Sequence, residues 1–293
     1  MGDAPAVMIH VDRECARSQI RPILEILILP SRLSRSDLLQ ALAFVMLMLL
    51  VGWGITLGAG AMPYRWQWNR VLPYVVRVID GEVYAGPLIR GLGVSLRISA
   101  LGFGVTIAAG LAAALLLLSG SVVGRGLARA YVEIIRNTPL LVQLYLFYFV
   151  LAPILGIGRE ATGVLALGLF EGAFAAEIIR AGILAVPLAQ TEAAQSLGLG
   201  RAQIYRFIVL PQALRIVLPP LTSLSISLVK QSAIVSAIAI FDLTNEGRNI
   251  IADTFMTFEV WLTVALIYLV VTTTMSWLAG RLERRLRTDT KRN

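Results

Sequence analysis

Long apolar runs, broken by short polar stretches, set the pattern of this chain. Residues 38–58, 91–118, 139–155, 163–186, 217–240 and 260–282 are apolar almost throughout. A helix needs roughly 20 such residues to cross about 30 Å of hydrocarbon, so the pattern predicts six spans and an all-α integral membrane protein. Between them lie a polar tail (residues 1–37), an amphipathic loop (62–87), a polar loop (187–211) and a basic tail (287–293). The tail contains an apolar patch at 23–29 that is too short to span, ends at Pro30 and reads as an interfacial helix. The first span belongs to a segment, 38–61, that ends in an A-x-A pattern at Ala59 and Ala61. Its apolar run is too long for a cleaved signal peptide, which favours an uncleaved anchor. Tyr64, Trp66, Trp68, Tyr74 and Tyr84 mark loop 62–87 as one that lies at the headgroup level. Thr106, Gly110 and Ala114 fall at the small-xxx-small spacing that lets another helix approach closely.

Composition agrees and narrows the function. The chain is 57% hydrophobic and 15% charged, with a mean hydropathy of +0.76, where soluble domains carry about 25% charged residues. The net charge of +8 and pI of 10.1 come from residues beside apolar spans, not from one basic face, so an anionic lipid leaflet is a better partner than nucleic acid. One cysteine, Cys15, and one histidine, His10, exclude an internal disulfide and a Cys/His metal set. With both termini in the cytoplasm, Arg125, Arg129, Arg136, Arg201, Arg206 and Arg215 fall on the same side as the tails, as the positive-inside rule requires. Arg65, Arg70, Arg77 and Arg90 dissent from the outer side. This orientation puts loop 187–211 in the cytoplasm.

That loop has a legible plan. Pro187 opens a helix of about three turns and Gly198 closes it in a left-handed conformation. Ala189, Ala193 and Ala194 are small enough for another protein to approach the backbone, and Glu192 offers an acceptor. Gly198 and Gly200 then turn the chain into a basic helix from Arg201 up to Pro211. Pro211, Pro219 and Pro220 are expected to break the helical ladder and supply a pivot.

Glu192, Ala193, Ala194, Gly198, Ile208, Leu210 and Pro211, at these spacings, resemble the EAA motif of ABC importer permeases. Further stretches resemble the polar amino-acid uptake type (histidine, glutamine, glutamate, arginine): Arg136-Asn137-Thr138-Pro139-Leu140-Leu141-Val142-Gln143, Ala176-Glu177-Ile178 with Arg180, Leu210-Pro211-Gln212-Ala213 and Ser227-Leu228-Val229-Lys230. The resemblance implies a type I ABC importer transmembrane domain over residues 88–286. Five helices would form its core, and segment 38–61 would be an extra N-terminal helix. It implies that the loop is the coupling helix docking in an ATPase subunit dimer. A second permease subunit, the same chain or a related one, and a periplasmic amino-acid-binding protein would complete an importer of the bacterial inner membrane.

Charges inside spans need compensation. Glu171 lies about 12 Å into its span from the outer end, and Lys230 is comparably deep in the next. One reading has Glu171, with Gln231 and Lys230, on a substrate path where it holds an ammonium or cationic side chain. The other makes Glu171 and Lys230 a structural ion pair. Glu177 and Arg180, at i,i+3, read as an interfacial pair, and Arg97 is free to snorkel. The two lysines, Lys230 and Lys291, follow Val229 and Thr290, so no phosphate-binding P-loop is present. No catalytic constellation and no cofactor or metal motif appears, which predicts a transporter subunit that is not an enzyme. The competing class is an ion-coupled secondary transporter or channel using Glu171 and Lys230 as a relay, which leaves the polar loop unexplained.

Overall fold

The computed structural model describes residues 35–61 and 64–288. The patch at 23–29, Cys15 and His10 lie outside them. Two compact units are present, divided after Arg65.

The first unit holds helix α1, Arg35–Ala61. Its segment Leu39–Gly58 has a mean hydropathy of 2.2 and is long enough to cross a bilayer.

The second unit opens with a surprise in the amphipathic loop. After a 3₁₀ turn at Trp68–Arg70 and the short α2, Leu72–Val75, the chain forms an antiparallel hairpin of β1, Val76–Ile79, and β2, Glu82–Ala85. Asp80 and Gly81 connect the strands, both at positive φ (53° and 82°), the backbone of a type I′ turn. Asp-Gly is the standard sequence signal for that turn, and the aromatic pattern around it obscured it. The loop is fastened to the last span: the Gln67 N–H donates to Glu259 at 2.6 Å, and Trp66 stacks on Trp68 and packs on Phe258.

The first core span is α3, Pro87–Leu118. Next come α4, Val122–Arg136, and a segment made of α5, Leu140–Leu146, a π-turn at Phe147–Leu151, and α6, Ala152–Leu155. Residues 139–155 are therefore not a separate straight span, as the apolar run suggested. They meet α4 at 111°, and the two arms qualify as a crossing only together. α7, Arg159–Leu184, follows, then α8, Leu188–Ser196, and α9, Arg201–Ile204. A second π-turn at Tyr205–Val209 leads into α10, Leu210–Gln231, which ends in a 3₁₀ segment. The chain closes with α11, Leu243–Thr254, and α12, Thr257–Thr288.

α3 and α7 form the spine. They run in parallel, with Gly102 beside Val164 and Leu167, and Gly110 beside Gly172 and Ala175. Thr106 donates to the Gly168 carbonyl at 3.2 Å. A Cβ on Gly110 would come within 2.6 Å of the Ala175 Cβ, and one on Gly168 within 2.5 Å of the Val105 Cβ. Lipid offers little hydrophobic drive for helix pairing, so contact this close must come from small residues. The partner of the Thr106, Gly110, Ala114 stripe thus lies in the same chain, α10 joining at Ala114 through Val217.

The prolines remove donors from the ladder but do not end the helix. Helix runs from Arg201 through Pro211, Pro219 and Pro220 to Gln231. In the π-turn the hydrogen bond steps back one residue, Leu210 N–H reaching the Tyr205 carbonyl, and Pro211, which has no N–H, falls directly after the step. Ala152 N–H makes the same longer reach to Phe147 just before Pro153. A π-turn already leaves the ladder out of phase, so the donor that Pro211 lacks falls beside a step already present in the helix.

Candidate coupling loop and intramembrane site

Pro187 sits at the N-cap of α8, one position ahead of the expected N1, with extended ψ of 131°. The helix ends in a Schellman motif. Gly198, at φ +78°, donates to the Gln195 carbonyl at 2.9 Å, and Leu199 N–H reaches the Ala194 carbonyl at 3.2 Å. Leu199 and Ala194 also meet in an apolar cluster with Val186, Ile204, Val209 and Ala213, the hydrophobic contact that accompanies this cap.

The faces of α8 divide the motif. Glu192 and Ala193 are exposed, as is Ala189. Ala194 is buried at 2% and faces inward, correcting the reading that all three alanines present a docking face. Its small size serves packing against α10. Two residues without a motif signal take part of the outer face: Leu188 and Leu197, exposed at 76% and 81%. Ile208 packs against the inward cluster, while Leu210 and Pro211 are exposed. Gln212 joins the two elements, donating to the Gln190 side chain on α8 and to the Ile208 carbonyl at 2.9 Å. Gln203 accepts from Gly200 N–H at 2.9 Å and fixes the start of α9.

The stretch from Arg136 to Gln143 has an equally physical account. α4 ends at Arg136, and the carbonyls of its last turn have no partner in the helix and need donors from beyond it. Asn137 covers Glu133 through its N–H at 3.1 Å and its side-chain amide at 2.8 Å. Thr138 covers Ile134 at 2.8 Å. Gln143, 6% exposed, reaches back across Pro139 to the Ile135 carbonyl at 2.8 Å and also bonds both oxygens of Thr138. These side chains hold the 111° bend. Arg136 lies over the Phe174 ring, 5.3 Å from its centroid.

Glu171 is 2% exposed, and its carboxyl lies within hydrogen-bonding reach of the Gln231 side chain. Among the described residues one carboxylate oxygen, Oε2, and the Gln231 Oε1 have no hydrogen-bond partner. No ion pair joins Glu171 to Lys230; the pairs among the described residues are Arg97–Glu160 at 2.6 Å and Glu177–Arg180 at 2.8 Å. The reason is angular. Consecutive helical residues point about 100° apart, so Lys230 and Gln231 cannot both face α7; Gln231 does, and Lys230 is exposed. Arg97, expected to snorkel alone, ties α3 to α7 through Glu160.

Comparison with known proteins fits this geometry. Residues 104–288 match the family model described as "Binding-protein-dependent transport system inner membrane component". The chain is 36% identical over 226 residues to the glutamine transport system permease protein GlnP of Escherichia coli (strain K12), covering 76% of this chain and 99% of that one. It is 33% identical over 176 residues to the glutamate/aspartate import permease protein GltJ of the same organism, covering 55% and 72%. A crystal structure of an amino acid ABC transporter with histidines superposes with a TM-score of 0.64 at 41% identity, covering 68% of this chain and 94% of that one. An inward-facing MetNI methionine ABC transporter, at 23% identity and a TM-score of 0.58, shares the fold. With a family model covering more than half its length, the chain belongs to the binding-protein-dependent transport system inner membrane components, as the non-catalytic, multi-pass permease subunit of an ABC importer.

Proposed function

We propose that this permease carries polar amino acids inward by alternating access, with α8 in the cytoplasm and docked on an ATPase subunit. Two permease subunits, identical or related, bind an ATPase dimer, and a loaded periplasmic amino-acid-binding protein delivers the solute from the hairpin side. Both termini are cytoplasmic. The observation that carries the reading is the construction of α8. Its outward face presents Glu192, Ala193 and two exposed leucines, while its inward face is bonded and packed to α10. A push on α8 therefore moves the helix that holds Gln231.

Glu171 and Gln231 are the proposed solute contacts. A buried carboxylate oxygen and a buried amide oxygen without partners suit a donor-rich ligand such as an ammonium group, because unpaired buried acceptors are costly. Lys230, on the exposed face of the same helix, is assigned to the path or to the facing subunit. The test replaces Glu171 with Gln. Uptake of a radiolabelled mixture of the standard L-amino acids should fall sharply while the complex still assembles with its ATPase. Wild-type uptake would remove Glu171 from the path, and failure to copurify any P-loop subunit would favour an ion-coupled carrier.

A further inference from the structure

Below Glu171 the side chains of α7 continue in i+3 steps through Phe174 and Glu177 to Arg180, a line that winds slowly round the helix. Facing its lower part is one stripe of α4, Arg129, Glu133 and Arg136, at i, i+4 and i+7. Between the two lies a cavity of about 330 Å³ that Leu117 and Val132 complete. Among the described residues the ion pair here stays within α7, between Glu177 and Arg180. Among the described residues no ion pair crosses the cavity from Arg129, Glu133 or Arg136 of α4, all three exposed. Arg136 reaches up instead, over Phe174, one helical turn from Glu171.

A charged side chain facing lipid is costly, so a cleft between these two helices lined by Arg129, Glu133, Arg136, Glu177 and Arg180 holds water or a polar cargo. A cleft for phosphate or a nucleic acid would be uniformly basic. This one alternates: Arg129 and Arg136 flank Glu133 on one wall. Such a pattern offers a carboxylate two guanidinium groups and an ammonium one carboxylate, with Glu133 one helical turn from each arginine. The volume is ample for one amino acid.

We infer that the α4–α7 cleft is a second, exit-side site for a zwitterionic amino acid, its carboxylate on Arg129 and Arg136 and its ammonium on Glu133. It rests on the amino-acid import reading and extends it: cargo released by Glu171 and Gln231 meets a matching set of charges before the cytoplasm. Arg136, shared between Phe174 and the cleft, is the step from one site to the other.

Cysteine protection tests this in the full complex, reconstituted with its ATPase and binding protein. Cys15 is replaced by Ser and Leu117, on the cleft wall, by Cys. A membrane-impermeant thiol reagent is added from the cytoplasmic face, with and without a mixture of the standard L-amino acids or of their carboxamides. The inference expects labelling that the amino acids slow and the carboxamides do not, and loss of that protection in Arg136→Gln and Glu133→Gln. No labelling, or labelling that the amino acids leave unchanged, overturns it. ATP-driven uptake is measured on the same vesicles. Uptake without protection defeats the exit site alone, whereas absence of amino-acid uptake defeats the import reading on which it stands.

Discussion

Gln212 of α10 holds Gln190 of α8 by donating a side-chain hydrogen bond to its amide oxygen while also donating to the Ile208 carbonyl in the preceding π-turn. The residue follows Leu210 and Pro211 directly, so the end of the motif is also the clamp between α8, the proposed coupling helix, and the helix that carries Gln231. Replacing Gln212 with Ala removes one inter-element bond, worth about 1 kcal/mol, and leaves the apolar cluster around Ala194 in place. ATP hydrolysis should persist while solute moved per ATP falls severalfold. Parallel measurement of hydrolysis and uptake in vesicles checks this; an unchanged ratio would show that the cluster alone transmits the stroke.

Gly198 must keep φ at +78° to close the Schellman cap. A β-branched residue there meets no side-chain obstacle, so the cost is purely conformational, about 1–2 kcal/mol. Gly198→Val should reduce ATP-driven uptake, and Gly198→Asn, which tolerates the left-handed region better, should restore part of it. Equal uptake by Val and Asn variants would mean that the cap geometry is not what matters.

Gln143 supplies donors to Ile135 and Thr138 at the bend. Gln143→Leu leaves these part-buried carbonyls without their donor, at a cost of about 1–3 kcal/mol. The thermal midpoint of the detergent-purified complex should drop, with Gln143→Glu no substitute because it cannot donate when ionised. A midpoint at the wild-type value would show that other groups satisfy the bend.

Asp242, outside the spans, caps α11 by accepting from Thr244 and Asn245 N–H groups and is wholly buried. Burial pushes its carboxyl from 3.8 up to about 6, against the pull of those hydrogen bonds. A carboxyl raised on folding stabilises in its protonated form, so this contribution is present below pH 3.8 and lost as pH rises through about 6. Asp242→Asn keeps the capping oxygen and should flatten that pH dependence, read as the thermal midpoint across the acid range. An identical profile in the variant would assign the dependence elsewhere.

Much of this was open to reading from residue order. The long apolar runs carry five helices long enough to span, and the spacing from Glu192 to Pro211 carries the proposed coupling loop. What stayed hidden depended on direction in space. Ala194 and Ala193 are chemically identical and adjacent, yet one faces α10 and the other solvent. Lys230 looked like the partner of Glu171 because charge attracts attention, whereas helical angle gives the contact to Gln231. The bend between α4 and α5 escaped because the amphipathic arm, taken alone, lacks the apolar length of a crossing. Pro211 was read as a breaker because the π-turn that accommodates it has no composition of its own.

The central claim is that α8 takes its work from a separate motor. The direct test reconstitutes the chain with its ATPase and binding protein, then omits each in turn while following accumulation of labelled amino acids. The account predicts accumulation only with all three present and ATP on the side of Glu192. Accumulation by the chain alone under an ion gradient, with no ATP, would contradict it.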